Sequence, residues 1–143
     1  MTINEIQDEL IEETADLTDW MDRYAYIIEM GESVDPMPEQ EKTPDNLIEG
    51  CQSRVWIAAK LDNEGKVEFQ ADSDALIVKG IVAMLLHVLN GHTPKEILDA
   101  DLYFIDRMGL KEHLSPTRSN GLVAMVKQMR MYALAFSVSE NAD

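Results

Sequence analysis

The chain has 143 residues, 45% of them apolar and 27% charged, which is enough apolar material for one compact domain over residues 1–143 and too much for a disordered chain. Its 27 acidic residues against 12 basic ones leave a formal charge of -15, which argues against nucleic acid and anionic membrane surfaces, since both select basic patches. One cysteine excludes an internal disulfide, Met1 to Leu10 lacks a signal-peptide pattern, and the longest apolar run, Ile81 to Leu89, is too short to cross a bilayer, so a cytoplasmic protein is expected.

Thr2-Ile3-Asn4-Glu5 has capping-box spacing and predicts a first helix with Ile3, Ile6 and Leu10 on one face. From Glu5 to Asp22 the only charges are acidic, which reads as a solvated helix surface. Asp16 or Thr18 is expected to cap a second helix, with Leu17, Trp20, Met21, Tyr24, Ile27 and Ile28 as a broad apolar face and Gly31 as its stop. Pro36, Pro38 and Pro44 make residues 32–46 an irregular surface loop that delivers the chain to Cys51.

After the cysteine, Val55, Ile57, Ala59 and Leu61 alternate with more polar positions, and Val67, Phe69 and Ala71 do the same beyond the turn at residues 62–65. These two runs predict an antiparallel hairpin with Trp56 on the face opposite Val55. Asp72 or Ser73 can cap a helix beginning near Asp74, and the almost continuous apolar run from Ala75 to Leu89 makes it the buried central helix, ended by Gly91. Thr93-Pro94-Lys95-Glu96 opens a short helix, and Leu102, Ile105 and Met108, closed by Gly109, suggest another. Residues 115–121 read as a polar loop before a long last helix, whose stripe from Leu122 to Phe136 faces the core and leaves Lys127 and Arg130 in water. The expected class is α+β, a small antiparallel sheet with helices packed on it.

The chemistry centres on Gly50-Cys51-Gln52-Ser53-Arg54-Val55-Trp56. A lone cysteine is ordinarily a small core hydrophobe, but a glycine before it and three polar residues after it favour display of the thiol. His87, His92 and His113 match no zinc spacing, and His87 falls in the helix expected to be buried, so no metal site is assigned. A cysteine hydrolase would need a histidine beside the thiol, and none is near Cys51 in sequence. No phosphate-binding glycine loop is present. Sulfur relay, by contrast, needs one thiol, whose reactive thiolate a nearby cation or helix N-terminus favours; Arg54 and Arg118 are the candidate cations.

The cysteine segment resembles the sulfur-acceptor signature of the SufE family, the partners of cysteine desulfurases. Further matches follow in the family's order: Trp20, Tyr24, Tyr26 and Ile27 to Gly31; Asp72 to Gly80; Thr93 to Ile97; Gly109-Leu110; and His113 to Leu122, which includes the Ser-Pro-x-Arg-Ser run ending at Ser119. The resemblance implies a SufE/IscU-like fold with a three-stranded sheet, of which periodicity yields only two strands. It implies Cys51 as the residue that carries sulfur, with Gly50, Gln52, Ser53, Arg54, Asp74 and Arg118 shaping its segment or a partner's docking, although a helix cap is the simpler role for Asp74.

The expected function is therefore a sulfur acceptor and carrier, not a free-standing enzyme. It takes persulfide sulfur from a pyridoxal-phosphate-dependent cysteine desulfurase of the SufS type, enhances its turnover, and passes sulfur to iron-sulfur cluster assembly on a SufBCD-type scaffold. Pyridoxal phosphate is expected on that partner and no cofactor on this chain. The alternative is a regulatory binding module of a desulfurase or another enzyme that carries no sulfur. Monomer and homodimer both stay open.

Overall fold

The computed structural model describes residues 1–48 and 53–141. Helix α1 (Ile3–Thr14) starts in a closed capping box: Thr2 Oγ1 accepts the Glu5 N–H at 3.1 Å and the Glu5 carboxylate accepts the Thr2 N–H at 3.0 Å. Ile3, Ile6 and Leu10 are buried, as the spacing predicts. Gln7 is buried with them, and its amide donates to the Asp101 carbonyl and accepts the Phe104 N–H, which fastens α1 to the second half of the chain.

Helix α2 (Trp20–Glu32) is capped by Asp19, not by Asp16 or Thr18, which lie in the tight turn that follows α1. Its apolar face is narrower than the sequence suggests. Ile27 and Gly31 are its buried residues, while Met21 stands 74% exposed. Gly31 does not end the helix either; it lies inside it, against the backbone of Gly80.

The chain then runs over the surface through two short 3-10 turns (Glu39–Glu41 and Pro44–Asn46) and reaches the hairpin of β1 (Val55–Leu61) and β2 (Val67–Ser73). The register pairs Val55 with Ser73 and Leu61 with Val67, and Val55, Ile57, Val67, Phe69 and Ala71 face the core. Among the described residues the sheet has two strands; in place of the expected third there are isolated antiparallel bridges, Leu47 to Trp56 and Val67 to His92.

Helix α3 (Leu76–Leu89) is central and packs against α2, β2, α1 and α7. Its one outward residue near the C-terminus is His87, which is exposed and not buried as expected. Gly91, at φ +79°, turns the chain out of it. A second closed capping box at Thr93 and Glu96 starts α4 (Pro94–Asp99), and the predicted helix before Gly109 is α5 (Phe104–Arg107). A further turn, α6 (Leu110–His113), leads to α7 (Pro116–Asn141). The polar stretch read as a loop is thus the first turn of α7, with Ser115 Oγ accepting the Arg118 N–H at 3.3 Å. Arg130 also departs from expectation: it is half-buried and donates from Nη2 to the Ala100 carbonyl at 2.8 Å, locking α7 to the end of α4. Among the described residues no helix is long and apolar enough to cross a membrane.

Helices α2 and α3 cross with their backbones in close approach. A Cβ built on Gly80 would stand 2.0 Å from the Ile27 carbonyl oxygen, and one on Gly31 would stand 2.9 Å from the Gly80 nitrogen. Both obstacles are backbone, so neither can swing aside. Gly80→Ala is therefore expected to cost about 3 kcal/mol, the upper end for overpacking, measured by denaturant unfolding. Wild-type stability in that variant would contradict so close a crossing.

Candidate functional site

Cys51, Gly50 and Gln52 lie outside the described residues, but the chain on both sides of them is described. On the upstream side the Ile48 N–H donates to the Val55 carbonyl at 2.8 Å, so the described chain before and after the cysteine is joined by a hydrogen bond. On the downstream side the backbone of Arg54 is held at both of its polar groups. Its N–H donates to Asp74 Oδ1 at 3.1 Å, and its carbonyl accepts from Ser73 Oγ at 2.9 Å and from the Asp74 N–H at 3.3 Å.

Asp74 is consequently not the cap of α3. The N-cap position belongs to Ala75, which has no side chain able to serve, and Asp74 spends its carboxylate on Arg54. Ser73 is likewise turned toward Arg54, although its Oγ also accepts the Ala75 N–H at 3.2 Å. The N-terminus of a 14-residue helix thus stands without a side-chain cap close to Arg54, and its positive end favours anions.

Behind this shoulder lies a buried carboxylate that strand periodicity does not reveal. Asp72 is on the face of β2 that should meet water, yet it is 7% exposed because the strap of residues 37–42 folds back over it. Its Oδ2 accepts the Met37 N–H at 3.2 Å and stands 3.5 Å from Lys42 Nζ; its Oδ1 accepts the Ser73 N–H at 2.8 Å and stands 3.6 Å from Lys79 Nζ. Burial penalises the charged form, but the Ser73 and Met37 N–H groups with the Lys79 and Lys42 ammoniums outweigh it and hold the carboxyl below the ordinary aspartate value. Lys42 also sits over the ring of Trp56, 5.1 Å from its centroid, and Trp56 is the cross-strand partner of Asp72. One carboxylate therefore joins the strap before the cysteine, the strand after it and α3.

The remaining candidates are spread out. Ser53 is half-buried and the Arg54 side chain is exposed; no carboxylate among the described residues pairs with its guanidinium. Arg118 is exposed on the first turn of α7, and no hydrogen bond or ion pair among the described residues joins it to Arg54 or Asp74. Instead α7 meets the root of the cysteine segment through Tyr132, whose hydroxyl is 3.1 Å from Asn46 Oδ1 and 3.0 Å from the Ile57 carbonyl. Helical spacing marks Tyr132 only as part of a core stripe. His92 is buried and used, with its ring nitrogens 3.3 Å from the Leu89 carbonyl and 3.0 Å from that of Met1. Among the described residues no group of three or more His, Cys, Asp or Glu side chains is placed to hold a metal ion. The cleft of about 300 Å³ beneath the strap, lined by Met37, Phe69, Ala83 and His87, contains none of the candidate residues.

The charge on Asp72 has a defined pH signature. Because its folded-state pKa lies below the ordinary 3.8, its contribution is complete well above that value and is lost as the pH falls through the lower folded one. Asp72→Asn is expected to lose roughly 2 kcal/mol at pH 7, with the two stability curves converging as the pH falls below the ordinary aspartate range. A difference that stays constant through that fall would show that the ionised form is not what matters.

Comparison with known proteins places this arrangement. The chain shares its fold with the solution structure of a hypothetical protein from Thermus thermophilus, at a TM-score of 0.77 and 22% identity over 93% of this chain and 96% of that one. The family model for SufE, the Fe-S metabolism associated domain, matches residues 8–133, a span that takes in Cys51, Asp74 and Arg118. The chain belongs to the SufE family, and with it to Fe-S metabolism.

Proposed function

We propose that the chain is a sulfur acceptor and carrier. Cys51 takes sulfur from the persulfide of a pyridoxal-phosphate-dependent cysteine desulfurase of the SufS type, and by clearing it speeds that enzyme's turnover. It then gives the sulfur up to iron-sulfur cluster assembly on a SufBCD-type scaffold, in the reducing cytoplasm where a free thiol persists. The observation that carries this reading is membership of the SufE family over a span containing the chain's only cysteine.

The step needs one thiol and no cofactor of its own. The Cys51 thiolate attacks the outer sulfur of the donor persulfide, the donor's S–S bond breaks, and the donor's inner sulfur leaves as a thiolate. The product is Cys51–S–SH, with charge and electrons conserved. Gly50, Gln52 and Ser53 serve this reading by presenting the thiol, and Asp74 by fixing the backbone of Arg54. Arg54 and Arg118 serve it as cations that favour the thiolate, as does the uncapped end of α3.

Mass spectrometry after incubation with a desulfurase and cysteine, without reductant, tests it. A gain of one sulfur atom confined to Cys51, absent from Cys51→Ser, is the expected result. Binding to an active desulfurase with no such gain would replace it by the regulatory reading. Arg54→Ala and Arg118→Ala are each expected to slow alkylation of Cys51 at neutral pH by about fivefold, the effect of about 1 kcal/mol from a solvated charge at 4 Å. Unchanged alkylation would remove that arginine from the site.

A further inference from the structure

Strand β2 has an edge that β1 does not use, and the chain covers it only in part. Pairing with β1 takes the backbone groups of alternate residues, so those of Val67, Phe69 and Ala71 point the other way. At Val67 the cover is backbone: its N–H donates to the His92 carbonyl at 2.8 Å and its carbonyl accepts the Gly91 N–H at 3.0 Å. At Phe69 the cover is a side chain: the Asn90 carboxamide accepts the Phe69 N–H at 2.6 Å and donates to the Phe69 carbonyl at 3.4 Å. At Ala71 no described residue takes either the N–H or the carbonyl. Ala71 is 2% exposed, and a buried peptide group without a partner costs about as much as a lost hydrogen bond.

The cleft of about 300 Å³ beneath the strap reaches that residue. Ala71, Phe69, Met37, Ala83 and Leu86, all buried, give it an apolar wall. The open stretch of edge is short. Asn90 holds it on one side; on the other, Asp72 Oδ1 accepts the Ser73 N–H and Asp72 Oδ2 accepts the Met37 N–H, which fixes the strap there. An added strand pairs at every second residue and has no room, whereas one group that offers a donor and an acceptor side by side does. A primary carboxamide is such a group, and Asn90 shows the fit at the preceding outward position of the same strand. The exposed Asp35 also lines the cleft and, on a chain with a formal charge of -15, disfavours an anion.

We propose that this cleft binds a small neutral molecule carrying a primary carboxamide on an apolar body. The amide oxygen accepts the Ala71 N–H, the amide N–H on the same side donates to the Ala71 carbonyl, and the body rests on Phe69, Ala83 and Leu86. A pocket with an apolar wall and a few fixed polar groups is the ordinary form of a small-molecule site. The cleft is separate from the Arg54–Asp74 shoulder, and the proposal stands whether or not Cys51 carries sulfur.

Benzamide is the probe, titrated to about 20 mM into the full chain while each backbone amide is followed by NMR. Saturable binding with a Kd of about 1 mM is expected, the scale for so small a ligand. The Ala71 amide proton is expected to move downfield, with intermolecular NOEs from the ring to Phe69, Ala83 and Leu86. Two analogues separate the amide pairing from simple apolar contact. Benzoate is an anion without a donor, and N-methylbenzamide has a trans amide whose one N–H points away from its oxygen. Each is expected to bind at least about tenfold more weakly than benzamide. No saturable shift at Ala71, equal affinity for either analogue, or NOEs from the ring to residues elsewhere would each overturn the proposal.

Discussion

Two glycines bring the backbones of α2 and α3 together at a distance that no side chain permits, and the site depends on that contact. Gly80 lies against Ile27, and the residue before it, Lys79, reaches Asp72. Asp72 in turn holds the strap through Met37 and Lys42, and it shares β2 with Ser73, whose hydroxyl bonds the Arg54 carbonyl. A helix crossing in the core is thereby transmitted, through one buried carboxylate, to both ends of the segment that bears the thiol. Interiors packed to crystal-like density transmit displacement in this way because they have little free volume to absorb it.

Much of this is legible in local patterns. The two capping boxes, the hairpin and the long apolar run each depend on residues a few positions apart, so their periodicity and chemistry point the same way. Local patterns mislead where a distant segment changes a residue's surroundings. Asp72 reads as a helix cap, yet it continues β2, and only a strap thirty or more positions upstream buries it. Arg130 looks like a wet helix residue until the Ala100 carbonyl comes within reach. Gly31 has the look of a helix stop, yet it serves a close approach between helices, which leaves no mark in its own neighbourhood.

The site is legible in a different sense. Nothing in the periodicity of residues 50–54 distinguishes a displayed cysteine from a small core residue; the ordered motifs point instead to the SufE family, and the family match bears out that membership. What the motifs do not convey is the division of labour. The Asp72-Ser73-Asp74 run looks like a choice of helix caps, but its members face different ways: Asp72 inward to two lysines, Ser73 and Asp74 toward Arg54. That leaves the end of α3 without a cap where an anion would profit from it.

The attachment of α1 has a bearing on how the protein is made. Gln7 is bonded to Asp101 and Phe104, Tyr103 to Asn4 and Asp8, and His92 to Met1, so the first helix is completed by partners more than ninety positions later. Contacts of such separation carry the largest loop-closure cost and form late. On a ribosome, where a chain emerges N-terminal end first, α1 has its own capping box to keep it helical, but its cover stays incomplete after α3 has emerged and until α5 follows. Helix α1 is thus made before the partners that complete it, and its acidic outer face keeps the waiting helix in water.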